Sequence, residues 1–300
     1  MKWSFSAHST FHRCQRQWFY KKIFANWKTK DTWRREAHRL SKLETIQAWR
    51  GKLVDTVISR TIIPSIVRSR SCSFSEAERT AKHIFDTDRA GRILAAANEG
   101  GIFFEMEYGL PLTEDMFVQA RAEVNQALMN FYSAKPIWDL IRQAQGLFPQ
   151  RSLMFTHGDA TVQVVPDLIM FRGMTSPVIF DWKVNTRPLR DYWLQLVTGA
   201  IALTRCNPHR DWPCGSVPHR PHDVELVEVQ LLTGDVRSHK ATSTDIEEAE
   251  DFISVSLSEM QFACGDEGAA RVKAEDFAVA RDPRTCQLCS FRKLCWGGIP

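Results

Sequence analysis

The sequence predicts an α/β protein: a small mixed sheet with helices on both sides, behind a mainly helical amino-terminal half. Three observations carry this. Residues 1–150 place apolar side chains near helical spacing, between cap and breaker residues. From Arg151 the pattern changes to short β-branched and aromatic runs separated by Gly-Asp pairs. The later elements then read strand–strand–strand–helix–strand, an order compatible with one sheet covered by helices.

Taken in order, Ser6 or Ser9 caps a first helix that carries Cys14. Glu36 to about Arg60 reads as a second, with Asp55 in its later turns, and Pro64 bends or ends it. Ser75 precedes a third, Glu76 to about Ala97, and Gly100-Gly101 break it. Thr113 caps a fourth, Glu114 to Ser133, where Phe117, Val124, Leu128 and Phe131 recur near helical spacing. A short helix follows Pro136. Arg151–Thr156, Thr161–Phe171 and Val178–Val184 read as strands, the first two joined at Gly158-Asp159. Pro188 opens a helix over Leu189 to Leu203. Val224–Leu232 and Val236–Lys240 form a hairpin about Gly234-Asp235, and Ser243 caps a long helix from Thr244 to about Phe262.

Three hundred residues can bury a substantial core, and 44% hydrophobic with 25% charged residues is ordinary for a globular chain. No signal-peptide-like or bilayer-length apolar run occurs, so a cytoplasmic protein without membrane association is expected. A net charge of +4 does not by itself demand a nucleic-acid partner. Its distribution says more: Arg13 to Arg39 holds nine Lys/Arg against Asp31 and Glu36. Trp18, Phe19, Tyr20, Phe24, Trp27 and Trp33 interleave with them. Such a segment can neutralise phosphates and stack on unpaired bases, or it can be an amphipathic helix with its aromatics in the core.

The chemistry concentrates in Val165-Pro166-Asp167-Leu168 and Phe180-Asp181-Trp182-Lys183-Val184. Charged groups inside apolar strands are costly unless paired. Alternation puts Asp181 and Lys183 on one face, with Phe180, Trp182 and Val184 on the other. If the preceding strand runs antiparallel, Asp167 reaches the same place. Two carboxylates and the Trp182 carbonyl then suit Mg²⁺ or Mn²⁺, with Lys183 beside them to orient a water. The competing reading is a salt-bridge ladder on an edge strand.

Of eight cysteines, Cys286, Cys289 and Cys295 form C-x2-C-x5-C, too crowded for separate disulfides and suited to one soft-metal centre. Cys206, His209, Cys214, His219 and His222 share a Pro-rich loop whose spacing matches no defensible zinc pattern.

A lone amino-terminal Cys in an aromatic-basic segment, then Pro-Asp, Asp-x-Lys, a Gln on a following helix and C-x2-C-x5-C: this order resembles the PD-(D/E)XK nucleases, in particular RecB/AddB-type iron–sulfur nucleases related to CRISPR-adaptation exonucleases. The resemblance spans Ser6 to Cys295. It implies a restriction-endonuclease-like mixed sheet flanked by helices, with a cysteine cluster joining the termini. It implies one nuclease domain over 1–300: a helical lobe at 1–150, a catalytic sheet core at 151–240, and a helix with the cysteine tail at 241–300. The activity implied is metal-dependent, exonuclease-type hydrolysis of DNA that is single-stranded or has open ends, with a helicase or a defence or repair complex as partner. By the same resemblance, Asp167, Asp181, Lys183 and Gln195 are catalytic. Asp55, Asp167, Asp181 and the Trp182 carbonyl hold Mg²⁺ or Mn²⁺. Cys14, Cys286, Cys289 and Cys295 hold a 4Fe-4S cluster, with Zn²⁺ as the alternative occupant. The chain departs from the family at Asp55, where a His is usual, and at Gly199, where a Tyr is usual; Tyr192, one helical turn before Gln195, could take over that contact. Those departures leave open a catalytically inactive DNA-binding or scaffold subunit.

Overall fold

The computed structural model describes residues 1–99, 103–173, 175–184, 193–213, 220–265 and 271–297. A two-residue strand β1 (Lys2–Trp3) opens the chain, followed by α1 (Phe5–Arg13) and α2 (Gln15–Phe19). The side chain of Ser4, not Ser6 or Ser9, caps α1 by accepting from the Ala7 N–H. Cys14 sits at the junction of the two helices in extended conformation. The second predicted helix is two: α3 (Thr32–Leu40) and α4 (Ile46–Val57). Thr45 caps α4 with its hydroxyl on the Ala48 N–H, a start signal inside the stretch read as continuous. A π-helical turn, Ile58–Ile62, carries α4 into α5 (Ile63–Val67), whose first turn takes Pro64 without loss of a bond. Then come α6 (Phe74–Glu99), α7 (Phe104–Glu107), α8 (Glu114–Ser133) and α9 (Lys135–Ile141). Gly100-Gly101 lie outside the described residues.

The second half holds β2 (Gly146–Pro149), β3 (Leu153–His157), β4 (Ala160–Val164), β5 (Leu168–Arg172) and β6 (Thr175–Lys183). After them come α10 (Trp193–Arg205), β7 (Glu225–Gln230), β8 (Asp235–Lys240), α11 (Ser243–Cys264), α12 (Pro283–Gln287) and α13 (Arg292–Gly297). Thr161–Phe171, predicted as one strand, is cut into β4 and β5, which belong to different sheets. Pro166 has no N–H to give a ladder, so the run breaks there.

The main sheet is mixed, ordered β2-β5-β6-β7-β8. β6 pairs antiparallel with β5 and parallel with β7, and α10 lies in the crossover between β6 and β7. A second mixed sheet, β1-β4-β3, was not anticipated as separate, because β1 is too short to carry a pattern. This is the restriction-endonuclease-like arrangement of sheets flanked by helices. Both faces of the main sheet are apolar. Val178, Phe180 and Trp182 of β6 pack with residues of α4, α6 and α8, while Ile179 packs with α10, α11 and the amino-terminal helices. The indole of Trp3 donates to the Ser256 hydroxyl at 2.8 Å, fastening β1 to α11.

Candidate active site

The strand pairing brings the predicted charges together. Leu168 opposes Phe180 across β5 and β6, so Asp167, just before β5, reaches the level of Asp181 and Trp182. Its Oδ2 accepts the Trp182 backbone N–H at 2.8 Å. Asp181, 4% exposed, points to the α10 side. Its Oδ1 accepts from Lys183 Nζ at 2.9 Å and from Gln195 Nε2 at 3.1 Å. Its Oδ2 lies 2.8 Å from the same ammonium but receives no well-directed hydrogen bond. Asp55 arrives from the later turns of α4, as predicted, and its Oδ1 accepts the Trp182 indole N–H at 3.1 Å.

Burial pushes all three carboxyls up. For Asp167 the value reaches about 8, with the charge of Asp181 as the next cause and Lys183 opposing. Burial is the leading cause at Asp181, again opposed by Lys183, and at Asp55, where hydrogen bonds from Trp182 and Gln150 oppose it. If ionised, Asp167 and Asp181 would share the single ammonium of Lys183, with Arg60 acting on Asp55, so negative charge would be in excess in a mostly buried site. That imbalance, with the orphaned Asp181 oxygen, suits a hard divalent cation. Among the described residues no three His, Cys, Asp or Glu side chains form a set ready to hold a metal ion. At this site Gln150 bridges two of the carboxylates: its Nε2 donates to Asp55 Oδ1 at 2.8 Å and to Asp167 Oδ1 at 3.1 Å.

A model of the PD-(D/E)XK nuclease superfamily matches residues 2–296. The chain belongs to that superfamily. Pro166-Asp167 and Asp181-Trp182-Lys183, expected from the sequence to be its Pro-Asp and Asp-x-Lys, lie within the matched residues. No curated protein matches this nuclease-superfamily chain. Among solved structures it is similar to one titled "Crystal structure of SSO0001", at 10% identity, covering 66% of this chain and 80% of that one. The TM-score of 0.29 is too low for that likeness to carry an argument.

Within this PD-(D/E)XK site, three residues escaped the sequence reading. Gln150 holds a left-handed backbone (φ 53°), and its N–H donates to the Asp167 carbonyl. Nothing in Phe148-Pro149-Gln150 announces this. Glu228 and Gln230, each 5% exposed, pair in register with Asp181 and Lys183 on parallel β7, so they share that face. Two polar residues alternating inside the apolar run of β7 were the available signal. Gly199 is buried against the sheet: a Cβ there would make ordinary contact with Ile179 Cδ1 at 3.4 Å, with Val164 next. Tyr192 lies outside the described residues.

Trp18, Phe19 and Tyr20 are core residues, 4%, 3% and 2% exposed, so the stacking role considered for them is corrected; Trp27 remains exposed. Cys14, Cys286, Cys289 and Cys295 line one cavity of about 390 Å³, all as free thiols. Burial pushes Cys289 up to about 11 and raises Cys286 too, the nearby Cys14 and Cys295 adding to it. The amino-terminal helices and the carboxyl-terminal segment also touch directly: the Arg16 N–H donates to the Ala278 carbonyl at 3.1 Å, and Phe19 stacks on Phe277. Of the Pro-rich loop, Cys214 and His219 lie outside the described residues, and the described Cys206 thiol donates to the Leu203 carbonyl.

Proposed function

We propose that the protein is a metal-dependent DNA nuclease that hydrolyses phosphodiester bonds. The observation that carries this is the buried charge imbalance at the ends of β5 and β6, where Asp181 keeps an oxygen without a directed partner. Asp167 and Asp181, with Asp55 and the Trp182 carbonyl, would hold Mg²⁺ or Mn²⁺. When bound, such an ion lowers the pKa of water and offsets charge on the scissile phosphate. Lys183, held against Asp181, orients the attacking water and supports the developing charge electrostatically. Gln195 fixes the Asp181 carboxylate from the α10 side.

The finer reading is a RecB/AddB-type exonuclease with a 4Fe-4S cluster on Cys14, Cys286, Cys289 and Cys295. Support comes from the shared cavity and from two donors aimed at sulfur: the Gln17 N–H toward Cys14 at 3.4 Å and Arg16 Nη1 toward Cys295 at 4.0 Å. Thiols so close together suit a soft-metal group once deprotonated. Protein purified without oxygen should be brown and contain iron; zinc in its place would identify the other occupant.

The deciding experiment incubates end-labelled DNA with Mn²⁺ or Mg²⁺ and purified wild type or Lys183→Ala. Wild type should degrade the DNA, and Lys183→Ala should lose at least about a hundredfold in rate while keeping its circular dichroism spectrum. Undiminished cleavage by Lys183→Ala, free of contaminating nuclease, would falsify the mechanism.

A further inference from the structure

We propose that the groove running from Gln195 past Lys22 to Lys2 is the track by which a single nucleic-acid strand reaches the carboxylates. This rests on the nuclease reading and adds to it the path and the form of the substrate.

Gln195 connects the two. Its amide touches Asp181 Oδ1, and it also lines a groove of about 600 Å³ together with Ser6, Ser9, Arg13, Lys22 and Gln163. A second groove, of about 650 Å³, shares Lys22 and Gln163 with the first and adds Lys2. The two therefore adjoin. Among the described residues lining either groove none is Asp or Glu, and every charged one is a cation. The neighbouring groove beside Cys14 differs: there Arg13 meets Glu259, Asp276 and Asp282.

Lys21 and Lys22 stand among other cations and, among the described residues, form no ion pair. Burial around its stem and then the charge of Lys2 lower the pKa of Lys22. For Lys21 burial comes first, then Lys22, Arg13 and Lys42. Arg13 gives its Nε–H to the neutral Gln17 amide. Mutually repelling cations are unfavourable in the free protein and call for an anionic partner. A phosphodiester backbone supplies one charge per nucleotide, and hydroxyl and amide donors such as Ser6, Ser9 and Gln163 suit phosphate oxygens. Phe5, Val165 and Ile23 add apolar surface between the cations. Unpaired bases can cover such surface, whereas a duplex hides its base faces.

The test is binding of a short, fluorescently labelled DNA single strand, followed by anisotropy across a salt series in EDTA. The double variant Lys2→Ala/Lys22→Ala should bind about tenfold more weakly, and its log–log salt slope should be shallower by about 1.4, roughly 0.7 per lost phosphate contact. Lys22→Gln alone should show about half that slope change, and Lys22→Arg should bind like wild type. Thermal unfolding of each variant reads folding separately. Unchanged affinity and slope in folded alanine and glutamine variants would overturn the track, as would tighter wild-type binding to a blunt duplex than to the single strand. Wild-type hydrolysis of bis(4-nitrophenyl) phosphate with Mn²⁺ reads the carboxylate site by itself. Failure there counts against the nuclease reading, while the anisotropy series still decides the track.

Discussion

Asp167 and Gln150 make the site's electrostatics measurable. The Asp167 carboxyl is held at about 8 against an ordinary 3.8. Between about pH 4 and pH 8, the metal-free fold therefore keeps a proton that the unfolded chain has released. Stability is full below the lower value and falls as pH rises through the window. Asp181 and Asp55 shift in the same direction and deepen the fall. Asp167→Asn should flatten it, raising the urea midpoint of metal-free protein at pH 8 more than at pH 5. Saturating Mg²⁺ should do the same for wild type, because it favours the ionised carboxylates. Gln150→Ala removes two hydrogen bonds to carboxylates. It should destabilise the metal-free protein by about 1–3 kcal/mol and the Mg²⁺-loaded protein less, which linkage converts into tighter Mg²⁺ binding by calorimetry. The acidic pair and Lys183 were legible in the sequence because charges inside apolar runs are conspicuous. Gln150 was not, since its role depends on a left-handed backbone and on two carboxylates distant in sequence.

Elements were legible where a cap or a period marks them. The fourth helix was predicted with the bounds that α8 has, and the hairpins about Gly158 and Gly234 fall where the Gly-Asp pairs stand, with φ of 55° and 82°. Failure came where two elements abut. The break at Pro166 and the start of α4 at Thr45 both lie inside runs of continuous polarity pattern, and only the missing N–H and the capping hydroxyl divide them. Residues 185–192, which hold the predicted start of the Gln195 helix, lie outside the described residues. At α10 the burial of Gly199, whose added Cβ would already touch Ile179, predicts that Gly199→Tyr costs about 1–3 kcal/mol by overpacking, read as a lower urea midpoint with an unchanged m-value.

At the scale of the whole molecule, the two ends of the chain meet at the four-thiol cavity and in the aromatic packing beside it. Because Cys14 is not among the residues of that aromatic cluster, the iron–sulfur reading predicts that Cys14→Ala loses bound iron yet keeps its helical circular dichroism, with a lower melting temperature than wild type. Loss of all structure in Cys14→Ala would mean that the thiol-bound group, and not Phe19, Tyr20, Phe277 and Phe291, holds the ends together. No helix among the described residues is long and apolar enough to cross a membrane.

The opposite orientations of Asp181 and Trp182 on β6 carry one more consequence. Slipping β6 by a single residue against β7 would thrust the carboxylate into the packing of α4 and α8 and strand the indole beside Gln195. Misalignment is therefore punished by unfolding before it can be punished by lost chemistry. The alignment that the proposed hydrolysis requires is therefore one the stable fold already enforces.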